Sequence, residues 1–375
     1  MTATGLPAPS VRLFLCGDVM TGRGIDQILP HPCDPQLFEP CMRSARGYVE
    51  LAEAAHGPIR RPADPAYVWG DALAVLDRVA PHVRIVNLET AVTTAEDAWP
   101  DKGIHYRMHP ANVGCLAAAG IDCCTLANNH VLDWGYAGLA ETLATLRAAG
   151  MRTAGAGRDA GEAAAPAIVE AAGAARVLVH AFGLESAGVP PAWAARADGP
   201  GVNFLADLSP RTADAVSQHV LASKRAGDVA VASLHWGSNW GHHIPRAQRD
   251  FARLLIDAGG VDVVCGHSSH HPRAIEVHRG KLILHGCGDF LNDYEGISGY
   301  DAYRPDLCLM YFPALDPATG RLVDCSLRPM RVRRFRVQRA PPDDAGWLRE
   351  RLDRECARLG TRIDEAADDA FRLRW

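Results

Sequence analysis

The sequence predicts an α/β fold in which mixed sheets pack face to face and helices flank them. Three observations carry this prediction. Apolar runs of strand length alternate with segments of helical period. The later part of the chain adds hairpins, so the sheets are mixed and not purely parallel. Strand after strand ends in a polar group, the pattern expected where carboxyl ends of strands line a cleft.

The elements follow in order. Residues 11–16 form a short apolar run that stops at Gly17-Asp18, a buried strand. Residues 21–65 are rich in Gly and Pro and keep no period, so they read as an elaborated loop region with short helices. Residues 70–79 read as a helix, 83–88 (VRIVNL) as a second buried strand, 111–119 as a helix and 121–126 as a third strand. Within 135–149, Leu139, Leu143 and Leu146 share one helical face. The Ala-, Gly- and Pro-rich stretch 155–201 holds one clear strand, 176–183. A helix at 209–225, a strand at 229–234, a helix at 247–258 and a strand at 261–265 come next. Residues 275–278 and 281–284 form a hairpin around Arg279-Gly280. Residues 307–315 and 322–335 alternate as strands, and 345–359 is a charged helix. These elements divide the chain into one domain, residues 1–340, with an insertion at about 30–67, and a C-terminal helical extension, 341–375.

The chain has 375 residues, 48% hydrophobic and 22% charged, which is a globular and not a disordered composition. A net charge of -5 gives no reason to expect a nucleic acid or an anionic membrane as partner. The basic run at 328–339 (RPMRVRRFRVQR) reads as the solvated face of an edge strand. Eleven scattered cysteines without a CxxC pair are not a secreted disulfide framework. With no signal-like start and no apolar run of membrane length, a cytoplasmic protein without a membrane anchor is expected. GxxxxGK[ST] and GxSxG are absent, and GAGRD at 155–159 lacks the full dinucleotide fingerprint.

The informative pattern lies at the strand ends. The five buried strands lead into Gly17-Asp18, Asn87-Leu88-Glu89, Asn128-Asn129-His130, His235-Trp236-Gly237 and Gly266-His267-Ser268-Ser269-His270-His271. Each has a bland reading: Asp18 as a turn residue, Glu89 as a surface charge, His130 or His235 as a core histidine, the histidine cluster as a solvated loop. Five such coincidences in series are hard to assign to packing. Carboxylates, an amide oxygen and imidazoles converging from separate strands suit a hard or borderline divalent cation. Such a cation activates water, and a nearby histidine outside the ligand set can protonate a leaving group.

In this order the residues resemble the calcineurin-like metallophosphoesterases, and more closely their CapA (poly-γ-glutamate capsule synthesis) branch. The resemblance covers roughly residues 11–293 and rests on GDVMTGRG, VNLET, KGIHYRMHP, LANNHVLDWGYAGLAETLATLRAAGM, GAGRD, HWGSNW and LLIDAGGVDVVCGHSSHHPRAIEVHRGKLILHGCGDFLND. It implies a metallophosphoesterase-like αββα sandwich. It implies metal positions at Asp18, Glu89, Asn129, His235 and His267, and a leaving-group acid at His130, with Asn128, Asn87 and Arg23 as neighbours and Trp236 and Gly237 shaping the pocket floor. It departs from two-metal enzymes at Met20 and Ser269, where those have histidine. One site (Glu89, Asn129, His235, His267, with Asp18 near it) for Mn, Fe or Zn is therefore expected. The second is weak, altered or absent unless His270 or His271 substitutes. Asp289, in GCGDFLND, adds an acceptor near the mouth or caps a turn. The expected activity is hydrolysis of a phosphoester or γ-glutamyl-type amide in a small acidic metabolite or polymer, with Arg23 orienting the substrate's anion. The alternative is a non-hydrolytic component of poly-γ-glutamate or capsule assembly that binds polymer or partner proteins.

Overall fold

The computed structural model describes residues 10–171 and 175–375. Two large mixed sheets make up the fold, the metallophosphoesterase-like α/β architecture. In the first, Val11–Val19, Val83–Leu88, Cys123–Thr125 and Arg152–Ala154 run parallel. Leu307–Leu315 pairs antiparallel on the other side of Val11–Val19, followed by Leu322–Val332 and the hairpin Arg362–Ala366/Ala370–Arg374. In the second, Arg176–Leu184, Val229–His235, Val263–His267 and Lys281–Leu284 run parallel, and Ile275–His278 closes the edge as the predicted hairpin.

Strand alternation decides what each side chain of the second sheet touches. Val177, Val179, Val229, Val231, Val263 and Cys265 face the first sheet and join its Leu13, Leu15, Ile85 and Cys123 in one core. Their neighbours Phe182, Ala232, Leu234 and Val264 point the other way, under helices Pro210–Ser223 and Arg246–Asp257. All these positions are buried. At about 25 cal/mol per Å² of apolar surface removed from water, this interior is the main favourable term in folding.

His180 is buried 5.6 Å from the ring of His219. Burial, and then His219, lower its pKa to about 4. An unfolded histidine takes up its proton near pH 6.5. Between about pH 6.5 and 4 the unfolded chain therefore binds the proton that the folded chain refuses, and stability falls as pH falls. His180→Leu should remove about 2 kcal/mol of the stability lost between pH 7 and pH 5. Urea unfolding at the two pH values measures this. An unchanged difference would show that His180 does not carry that part of the acid response.

Three expectations meet a different structure. Residues 111–119 are a 3₁₀ turn, Pro110–Asn112, followed by the short helix Gly114–Ala118. The C-terminal segment is more than helical: after Pro342–Ala357 its hairpin extends the first sheet, with Ser326 opposite Arg372. Consequently the basic strand is not an edge. Leu322–Val332 pairs with Leu307–Leu315 on one side and with Val337–Arg339 and Ala370–Arg374 on the other. Its Arg331 is neutralised by Asp344, and Arg336 beyond it by Asp71.

Candidate metal centre

The cleft forms where the two sheets present their carboxyl ends to each other. Asp18 lies near the end of Val11–Val19, Glu89 follows Val83–Leu88, and His235 ends Val229–His235 on the opposite sheet. One ligand atom from each lies within 4.8 Å of the others, and all three residues are buried. Gly17 makes the crossing possible. A Cβ there would stand 2.0 Å from the carbonyl oxygen of Gly288. Without one, the Asp18 amide donates to that oxygen at 2.9 Å, and Asp18 comes into register with Asn87 on one side and Asp289 on the other.

Each member has a defined surrounding. Asp18 Oδ1 accepts from Asn87 Nδ2 at 2.8 Å and meets His267 Nδ1 at 2.8 Å, and its Oδ2 accepts from the Ser268 amide at 3.1 Å. His235 Nε2 lies 2.9 Å from Asn129 Oδ1 and 3.7 Å from Glu89 Oε1. Glu89 Oε2 is buried without a hydrogen-bond partner among the described residues. Burial, with Asp18 second, pushes the Glu89 carboxyl well above its usual range. Burial acts on Asp18 in the same direction, but the charge and hydrogen bond of His267 hold it below. Burial lowers His235 to about 3, so its imidazole is neutral and offers a lone pair. Two buried carboxylates that cannot both ionise unaided, one with an orphaned oxygen, beside a neutral imidazole and an amide oxygen, fit a divalent cation. Asp18 therefore belongs to the cluster itself, while His267 reaches it through Asp18.

His130 stands at the edge of this cluster with Nε2 3.8 Å from Glu89 Oε1. Its Nδ1 is 2.6 Å from Asp133 Oδ2, which also accepts the Tyr106 amide at 2.6 Å. Asp133 Oδ1 is 2.6 Å from the ammonium of Lys102. Burial lowers the His130 pKa to about 4, with Asp133 opposing and Lys102 reinforcing. Lys102 Nζ also lies 3.1 Å from Nδ1, but the shorter contact with the Asp133 carboxylate puts the ring proton on Nδ1 and leaves Nε2 as an acceptor. Asp133 and Lys102 were missed by sequence reasoning. Their signals were the i+3 spacing of Asp133 from His130 within LANNHVLDWG and the place of Lys102 in KGIHYRMHP.

The other expected residues divide. Asn128 Nδ2 donates to Asn87 Oδ1 and the Leu88 carbonyl, and its Oδ1 accepts the His130 amide, so it positions the chemistry without facing it. Asn87 is buried in the same network and tied to Asp18. Arg23 is turned to carboxylates of the protein and not to the open cleft. It is 4% exposed, with Nε and Nη2 on Asp293 and Nη1 on Glu39. Trp236 does not floor the pocket. As the residue after His235 it points to the opposite face, packs with Phe251 and Leu255, and donates Nε1–H to the His285 carbonyl. Met20 is buried against the Tyr294 hydroxyl, and Ser269 Oγ donates to the His271 carbonyl. His270 is held by Asp289 at 2.9 Å and Asn239 at 3.0 Å, and Asn292 bonds the other oxygen of Asp289. Buried Asp289 and half-buried His270 thus form a pair next to the cluster.

The family model described as "Bacterial capsule synthesis protein PGA_cap" matches residues 12–294. The chain is 49% identical over 364 residues to the "Probable polyglutamine synthesis accessory protein Rv0574c" of Mycobacterium tuberculosis, covering 97% of this chain and 96% of that protein. It is 26% identical over 306 residues to the "PGA biosynthesis protein CapA" of Bacillus subtilis, covering 81% and 68%. Matching over most of its length and carrying the buried Asp18–Glu89–His235 cluster within the matched region, the chain belongs to the PGA_cap family of bacterial capsule synthesis proteins.

Proposed function

We propose that the protein is a metal-dependent hydrolase that cleaves a phosphoester or a γ-glutamyl-type amide in a small acidic metabolite or polymer, in support of poly-γ-glutamate or capsule synthesis. The observation that carries this reading is the orphaned, buried Oε2 of Glu89 inside the Asp18–Glu89–His235 cluster, with the free Nε2 of His130 at its edge. Asp18, Glu89, His235 and Asn129 would hold Mn, Fe or Zn, which when bound supplies Lewis acidity and an acidified water. His130 moves the proton. Its Nε2 starts as an acceptor, so the proton it delivers to the leaving group is one first taken up there, while Asp133 holds Nδ1–H throughout. All eleven cysteines are free thiols, in keeping with a reaction placed in the cytoplasm. Among the described residues no helix is long and apolar enough to cross a membrane.

The test is a panel of phosphomonoesters, phosphodiesters and γ-glutamyl amides offered to the Mn-, Fe- or Zn-loaded full chain. Turnover of one class that is lost in His130→Ala is the expected result. A metal-loaded protein that cleaves nothing and binds poly-γ-glutamate equally well with and without His130 would overturn it. That outcome supports the second reading, a non-hydrolytic assembly component, which the name "accessory protein" of the Mycobacterium relative favours.

A further inference from the structure

Around the segment that carries His270 lies a group of nitrogen-bearing side chains that the proposed chemistry leaves unused. Arg273 is 1% exposed. Its Nη2 donates to the carbonyl oxygen of Ser238 at 2.6 Å and to its hydroxyl at 3.1 Å, and its Nε has no partner. Burial lowers its pKa to about 10, with Tyr303 opposing. Among the described residues no carboxylate forms an ion pair with it. A guanidinium carries five donors and no acceptor, and burying one uncompensated costs several kcal/mol on the order-of-magnitude scale of isolated buried charges.

Two histidines share this surrounding. The rings of His242 and His271 are 4.5 Å apart, and Tyr303 stacks on His271 at 4.8 Å. Both ring nitrogens of His242 and Nε2 of His271 are buried without partners among the described residues. Glu355, a carboxylate that acts on His242, is already bonded to Arg358. The buried Arg273 guanidinium, without a carboxylate partner among the described residues, argues against a second cation and for an anion.

We propose that Arg273, His242 and His271 form a second site, which takes a small oxyanion, a phosphate or a carboxylate. The inference is independent of any hydrolysis. The site shares two segments with the metal centre. Ser238, which holds Arg273, precedes Asn239, and Asn239 bonds His270 through both its backbone oxygen and its Nδ2. An anion bound there would therefore fix the loop that carries His270.

The experiment is thermal unfolding of the metal-free full chain in sodium phosphate, sodium glutarate or sodium chloride at equal ionic strength. Removing the metal keeps the oxyanion from binding at the carboxylate cluster by way of a cation. Phosphate or glutarate should raise the Tm above its value in chloride by about 2 °C or more at saturation. Whichever of the two is effective tells a free phosphate from a carboxylate group. Arg273→Met should abolish the rise and unfold in chloride no earlier than the wild type, because the uncompensated charge is gone. No oxyanion-dependent rise in the wild type, or an equal rise in Arg273→Met, overturns the site. Should Arg273→Met fail to fold, His242→Phe decides. It should weaken apparent oxyanion affinity by about fivefold or more, as expected for one lost hydrogen bond to an anion, and unchanged affinity overturns the proposal.

Discussion

Glu89→Gln should leave the protein without its divalent metal and lower turnover by about 10³-fold or more, while making the metal-free protein more stable. The two effects have one cause. In the metal-free protein Glu89 is buried, its Oε2 is orphaned, and Asp18 stands beside it. Burial and Asp18 both push its proton affinity up, so the carboxylate is held at a cost that glutamine does not incur. Glutamine keeps the shape and one amide oxygen but cannot supply the negative charge that balances a dication. Asp18 remains paired with His267 and Asn87, so the fold around the cluster survives. At a metal concentration of about 1,000 times Kd, binding to the native state alone adds about 4 kcal/mol, and the variant forfeits that increment. Elemental analysis paired with thermal unfolding, with and without metal, reads both halves. A variant that still binds one equivalent of metal would remove Glu89 from the ligand set. A metal-free variant less stable than the metal-free wild type would show that its carboxylate is a structural hydrogen-bonding group.

How much of this could be read in advance depended on whether a residue sits on a periodic element. The strands bearing Asp18, Glu89 and His235 announce themselves as apolar runs, and a polar residue just after such a run has little choice but the cleft. Those three converge as the strand ends implied. Trp236 was legible in principle, since adjacent strand residues face opposite ways; the family resemblance drew it to the pocket while alternation puts it under the helices. Arg23 reads as a free cation until Asp293, 270 positions away in sequence, comes alongside it, and no local pattern foretells a contact at that separation. Lys102 lies in an irregular segment with no period to interpret. The terminal hairpin hid for another reason. Ile363, Phe371 and Leu373 are buried, but Asp364, Glu365 and Arg372 face water, and so many charges masked the alternation.

The Asp133 contact makes the last prediction. Asp133→Asn should lower kcat by about 10² to 10⁴-fold with metal content unchanged, because the residue touches His130 and not the carboxylate cluster. An amide that keeps its oxygen on Nδ1–H and the Tyr106 amide turns its NH₂ toward the Lys102 ammonium; turned the other way, it sets NH₂ against Nδ1, and the ring must then carry its proton on Nε2, the reverse of the working tautomer. Lys102, 2.6 Å from Asp133 in the wild type, would also lose its counter-charge beside the same imidazole, and the protonated ring would become harder to form. Both consequences act through His130 alone. The double variant His130→Ala/Asp133→Asn should therefore be no slower than His130→Ala, a non-additivity that follows when two residues serve one proton transfer. A double variant slower by the product of the two single losses would give Asp133 a role of its own. The KM separates a further alternative: if Asp133→Asn raised KM and spared kcat, the Lys102–Asp133 pair would be holding substrate, and His130 would not depend on it for its proton.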